Sequence, residues 1–136
     1  MRFHNINIRN IITEALSYNG IIVDVREKKE FEQGHIPMAI NIPLSQIKTG
    51  KMSLPKGKVL LVYCETGARS TMAAKELAEK GYKVINTIGG ILEYRGGLTK
   101  KAWYIWQRGL IFTLVYSVIY KIFIYKRGND YEEARG

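Results

Sequence analysis

An α/β domain on a mainly parallel sheet is predicted by three features of this 136-residue chain. Two near-continuous apolar runs, IIVDV and VLLVY, have the character of strands buried on both faces. Segments with apolar residues at helical spacing alternate with these runs. Gly, Pro and Asn punctuate the boundaries, so the order reads as strand, helix, strand rather than as a block of either kind.

Taken in order, Asn7 can cap a helix from Ile8 to Tyr18 that puts Ile11, Ile12, Ala15 and Leu16 on one face and stops at Gly20. The strand IIVDV follows. REKKEFEQGHIP is charged and turn-rich, with a helical turn at Lys28 to Phe31 before Gly34 and Pro37. AINIP has room for one short strand, and SQIKTGKMSLPKGK reads as a helical turn and an exposed loop. A strand to Tyr63, a helix to Lys80 and a strand at Val84 to Asn86 complete the pattern. In such sheets ligands gather at the carboxyl ends of the strands.

Composition narrows the function classes. With a single cysteine no internal disulfide can form, and with only His4 and His35 beside it the chain lacks the ligands of a structural zinc site. One free cysteine suits a reducing compartment. The net charge is +9, of which residues 1–98 carry +5 and the shorter residues 99–136 carry +4. The first part shows no basic run interleaved with aromatics, so no nucleic-acid partner is expected, and a membrane surface accounts for the excess as well. MRFHNINIRN lacks the apolar core of a signal peptide.

The lone cysteine sits where chemistry would be placed. Cys64 follows the apolar run Val59 to Tyr63 and precedes Met72, Ala73, Leu77 and Ala78 at helical spacing, which puts it on a strand-to-helix turn. Gly67 frees the backbone for a tight turn, and Ser70 or Thr71 can cap the helix. Inward-pointing amides at a helix start favour an anion, and the nearest one is the Cys64 thiolate. A buried free cysteine acting as a small hydrophobe is the plainer alternative.

IIVDVREKKEFEQGHIPMAINIP and CETGARS resemble the rhodanese-like domain, over Ile6 to Gly97. The shared features are the strand-end Asp24-x-Arg26, EFEQGHIPMAINIP, the Cys-x-x-Gly-x-Arg-Ser loop and the closing Gly89-Gly90. Met38 stands where the family often has Gly, and Tyr94 where a Trp commonly follows the double glycine; both are read as packing changes. The resemblance implies a three-layer domain with helices on both faces of a central sheet, and a six-residue active loop, Cys64 to Arg69, used for sulfur transfer without metal or organic cofactor.

On that resemblance Cys64 is the nucleophile, and Glu65, Thr66, Gly67, Ala68, Arg69 and Ser70 surround its persulfide. An ordinary thiol is only a few per cent ionised at neutral pH, so the loop amides, the helix dipole and the Arg69 guanidinium are assigned to holding the thiolate. Arg69 could also steer an anionic donor such as thiosulfate. Glu65, on the rim, opposes strongly anionic donors and leaves room for a glutathione or protein persulfide. Asp24 and Arg26 are read as an ion pair bracing the loop, and His35 as ordering the GHIP turn. A phosphatase is disfavoured because its loop is one residue longer than the four that separate Cys64 from Arg69. A non-catalytic adaptor is the other alternative, and such modules usually lose the cysteine.

Residues 99–136 form a basic linker, a hydrophobic segment and a polar end. From Gly109 to Tyr125 only Thr113, Ser117 and Lys121 are clearly polar, and on a helix they make one narrow stripe. Seventeen residues at about 1.5 Å each give roughly 25 Å, slightly under a bilayer core of about 30 Å. Trp103, Tyr104 and Trp106 could sit at the interface and Lys121 could snorkel. Gly109, Thr113 and Ser117 form a small-xxx-small row that could pair two such helices into a homodimer. A membrane anchor at residues 109–125 is expected, with Arg95, Lys100, Lys101 and Arg108 placing the domain on the cytoplasmic, inner face. Packing of this segment on protein is the alternative.

Overall fold

The computed structural model describes residues 3–101. The predicted segment at 109–125, and with it the anchor and the helix pair, lies outside them. Among the described residues no helix is long and apolar enough to cross a membrane.

Among the described residues five strands form one parallel sheet: β1 (Phe3–Asn7), β2 (Ile21–Asp24), β3 (Ile40–Asn41), β4 (Val59–Tyr63) and β5 (Lys83–Ile88), in spatial order β1-β5-β4-β2-β3. The helices are α1 (Ile11–Tyr18), α2 (Lys28–Gln33), α3 (Leu44–Thr49), α4 (Ala68–Glu79) and α5 (Gly90–Glu93). This is the predicted three-layer α/β arrangement. Successive strand residues face opposite sides, so Leu60, Val62 and Cys64 join Ala73, Ala74 and Leu77 of α4 in one core, while Leu61 and Tyr63 turn to the other side. The central strand β4 is buried on both faces and ends at Tyr63, directly before Cys64.

The differences from expectation are local. Phe3–Asn7 forms an edge strand that its sequence does not announce: His4, Asn5 and Asn7 are exposed, and only the pairing with β5 from Phe3↔Val84 to Asn7↔Ile88 defines it. The helix expected from Ile8 begins as a 3₁₀ turn over Ile8–Asn10, with the Asn7 side chain accepting the Arg9 N–H at 2.9 Å, before α1 proper. Its stop is Asn19 (φ 51°), not Gly20. Gly20 serves a different need, because a Cβ there would lie 2.8 Å from the Val59 carbonyl oxygen. Ser70 and Thr71 lie inside α4 rather than capping it, since Gly67 at φ 117° is the N-cap. Their hydroxyls donate back to the Gly67 carbonyl at 3.1 and 2.9 Å.

Met38 is also more than a packing change. Its φ is 71°, a left-handed conformation that glycine adopts freely and methionine does not.

Candidate active site

The site is built where β4 ends. Cys64 is 1% exposed, and its Sγ accepts the N–H of Gly67 at 3.0 Å and of Ser70 at 3.3 Å. The expected ring of amides thus narrows to two donors on the sulfur, both at the first turn of α4, where the helix dipole favours negative charge. Glu65, Thr66 and Ala68 are exposed and form the rim, and Ser70 is buried.

Three sets of contacts hold this loop. The first is the turn after β5: Ile91 N–H donates to the Cys64 carbonyl at 2.9 Å and Leu92 N–H to the Glu65 carbonyl at 3.3 Å. Gly90, at φ 64°, lies so close to the Glu65 carbonyl that a Cβ would collide with it. The double glycine of the motif is therefore a backbone clasp against the active loop. The second set runs beneath α4. Asn86, 2% exposed on β5, donates from Nδ2 to Asn5 Oδ1 at 2.9 Å and to Thr71 Oγ1 at 3.2 Å, and Thr71 in turn donates to the Gly67 carbonyl.

The third set is buried beside Tyr63. Asp24 is fully buried, and Arg26 Nη2 meets its Oδ2 at 2.7 Å and donates to the Gly34 carbonyl at 2.8 Å. The Tyr63 hydroxyl donates to the same Asp24 oxygen at 2.7 Å and accepts from Ile36 N–H at 3.1 Å. Burial, reinforced by the Asp24 charge, pushes the Tyr63 phenol well above its ordinary value. For Arg26 burial acts downward, but the bond to Asp24 prevails and the guanidinium is held above its usual range. The Asp24–Arg26 pair is therefore a brace between β2, β4 and the loop after α2, as the motif suggested.

His35 reaches further than its own turn. Nδ1 lies 2.8 Å from the Phe31 carbonyl and Nε2 2.8 Å from the Lys101 carbonyl, while its ring stacks on Phe31 at 3.7 Å. Both partners are acceptors, so only the doubly protonated ring makes the two bonds together. His35 and Thr99 also exchange both backbone hydrogen bonds, each at 2.9 Å.

Arg69 stands at the rim, but its guanidinium is committed elsewhere than the sulfur. Nη1 and Nη2 grip Glu30 of α2 at 2.7 and 3.0 Å, both side chains about one-third exposed. The Cys64 and Glu65 charges also act on Arg69, after the bond to Glu30, which comes first. Glu30 was not singled out in sequence; 39 residues separate it from Arg69, and no local signal links them. The Arg69 bond holds the Glu30 carboxyl below its ordinary value, and the Glu30 bond holds Arg69 above its own.

Comparison with known proteins gives a consistent picture. The family model described as "Rhodanese-like domain" matches residues 9–96. A sulfurtransferase of Allochromatium vinosum is 39% identical over 99 residues, covering 67% of this chain and 92% of that protein. A tRNA sulfurtransferase of Desulfurococcus amylolyticus is 34% identical over 87 residues, covering 64% of this chain but 17% of that protein. The chain likewise spans 41% and 64% of two relatives from Bacillus subtilis. Among solved structures, a rhodanese-related protein from Thermoplasma volcanium superposes with a TM-score of 0.61 at 28% identity, covering 72% of this chain and 99% of that one.

Proposed function

The chain belongs to the rhodanese-like domain family, and on that footing we propose that it is a sulfurtransferase carrying a sulfane sulfur on Cys64. The observation that supports this most directly is the seating of Sγ: the end of the central strand, two amide donors, the first turn of a helix. Such a seat suits a thiolate and suits the terminal sulfur of a persulfide equally.

In the first step the Cys64 thiolate attacks the outer sulfur of thiosulfate or of a glutathione or protein persulfide. A new S–S bond forms at Sγ as the donor's S–S bond breaks, and sulfite or a thiolate leaves with the bonding pair. An acceptor nucleophile then attacks the outer sulfur, and Sγ departs as the thiolate it began as. The amides of Gly67 and Ser70 stabilise negative charge at both ends of the cycle. The test is mass spectrometry after exposure to thiosulfate or glutathione persulfide. One added sulfur on Cys64, absent in Cys64→Ser and removed by an acceptor thiol, is expected; no added sulfur from any donor would leave an adaptor as the better description.

The second part of the proposal is a tether to the inner face of a membrane through residues 109–125. Its support is the composition of that segment: three clearly polar residues in seventeen, aromatic residues before it and basic residues on both flanks. Thr99 and Lys101 pair with His35, and Met1–Ala102 form one compact unit, so a truncation that spares the domain ends at Ala102 rather than Leu98. Full-length chain is expected in the detergent phase and residues 1–102 in the aqueous phase. Equal partition would remove the anchor.

A further inference from the structure

Resting on the sulfur-transfer reading, we propose that Glu30 is a specificity-determining residue that offsets part of the charge of Arg69 and so turns Cys64 away from dianionic donors toward those with a single negative charge on the reacting group. Arg69 is the basic side chain of the active loop and the one that would attract a dianionic donor such as thiosulfate. Its two outer nitrogens are already engaged by both oxygens of Glu30, a forked geometry that is stronger and more directional than a point contact.

The pair is held from behind. Glu30 Oε1 also accepts the Glu27 N–H at 3.1 Å within a capping box, and the next residue, Phe31, is buried and stacked on His35. Glu30 is therefore presented by an anchored helix and is not a side chain that happened to fold over. The Glu30 carboxylate offsets part of the charge that Arg69 presents to Cys64 and to the exposed Glu65. A donor that brings two negative charges loses more attraction by this than one that brings a single charge.

Two donors with the same reacting bond isolate this effect. Thiosulfate gives Cys64 persulfide and sulfite, with three negative charges before and after. Methanethiosulfonate gives Cys64 persulfide and methanesulfinate, with two before and after. Single-turnover sulfuration of Cys64 is followed by mass spectrometry in the full chain. Glu30→Gln keeps an oxygen for Arg69 and for Glu27 but removes the charge. It is expected to raise the thiosulfate to methanethiosulfonate rate ratio by roughly three- to tenfold, less at high ionic strength.

Arg69→Gln is expected to lower the same ratio, and the double variant to return close to wild type. A merely structural role for Glu30 would shift both single variants together or leave the ratio alone, and either result overturns the proposal. The same four proteins are compared in alkylation by iodoacetate and iodoacetamide, which differ by one charge and report only on Cys64, the single cysteine of the chain. A shifted alkylation ratio without sulfuration by either donor would sink the sulfur-transfer reading while charge selection stands. An unshifted alkylation ratio in an enzyme that does take up sulfur would sink the role of Glu30.

Discussion

The Tyr63 hydroxyl donates to Asp24 Oδ2 at 2.7 Å from the residue directly before the cysteine, so the last residue of β4 before the active loop is tied to a buried ion pair. Tyr63→Phe leaves Asp24 with Arg26 but strands the buried Ile36 N–H, at an expected cost of about 1–3 kcal/mol in denaturant unfolding. The phenol's value is raised in the fold, so its contribution is complete below the unfolded value of 10.0 and is lost as pH climbs toward the higher folded one. Wild type should therefore lose more stability than Tyr63→Phe on passing upward through pH 10.0.

Asp24→Asn tests the brace itself. Arg26, 6% exposed, would be left as a buried cation without its counter-charge. A loss of about 3–5 kcal/mol is expected. A change of a few tenths would mean that the pair contributes little to holding β2 against β4.

Gly90→Ala drives a methyl group into the Glu65 carbonyl at a φ of 64°. Unfolding should cost more than about 2 kcal/mol, and alkylation of Cys64 in the folded fraction should change as well, because the loop itself must shift. Gly57→Ala is the control: nothing lies within 4 Å of the new atom, and stability should stay within about 1 kcal/mol of wild type.

Met38 makes the opposite comparison. At φ 71° a β-branched side chain is worse than methionine, and Met38→Val is expected to lose about 1–2 kcal/mol. Met38→Gly relieves the strain while adding chain entropy to the unfolded state, so the two effects nearly offset and the midpoint should move by less than about 1 kcal/mol. A large loss on Met38→Gly would show that the thioether's packing outweighs its backbone.

Acid should erase the stability difference between wild type and Glu30→Gln. The folded value of Glu30 lies below its ordinary 4.5, through the bond to Arg69, so its stabilisation is present above pH 4.5 and fades as pH falls through the folded value. The pair is about one-third exposed, which limits the gap near neutrality to about 0.5 kcal/mol. Chemical denaturation at pH 7 and pH 3 would measure it, and a gap that persisted at pH 3 would trace to something other than this ion pair.

These residues show what a sequence reveals and what it hides. Cys64 is legible as a strand-end residue because VLLVY is a continuous apolar run with a glycine three residues beyond the cysteine. Phe3–Asn7 is not, because an edge strand with three exposed polar residues carries little hydrophobic pattern and owes its form to β5. The Asp24–Arg26 pair is two residues apart and can be read as local bracing, whereas Tyr63, Gly34 and Ile36 enter that network only through the fold. Glu30 escaped because nothing in its neighbourhood points to the arginine it meets, 39 residues along the chain. Ser70 and Thr71 lie three and four residues past the true cap because Gly67 caps the helix through its own backbone and needs no hydroxyl.

The clasp between His35 and Thr99 has a mechanical side. Load drawn along the polypeptide past Lys101 arrives first at this pair of amide bonds and at the His35 ring. That ring lies flat on Phe31, the neighbour of Glu30. The chain's exit and the helix that grips Arg69 therefore share one buried support, the His35 ring.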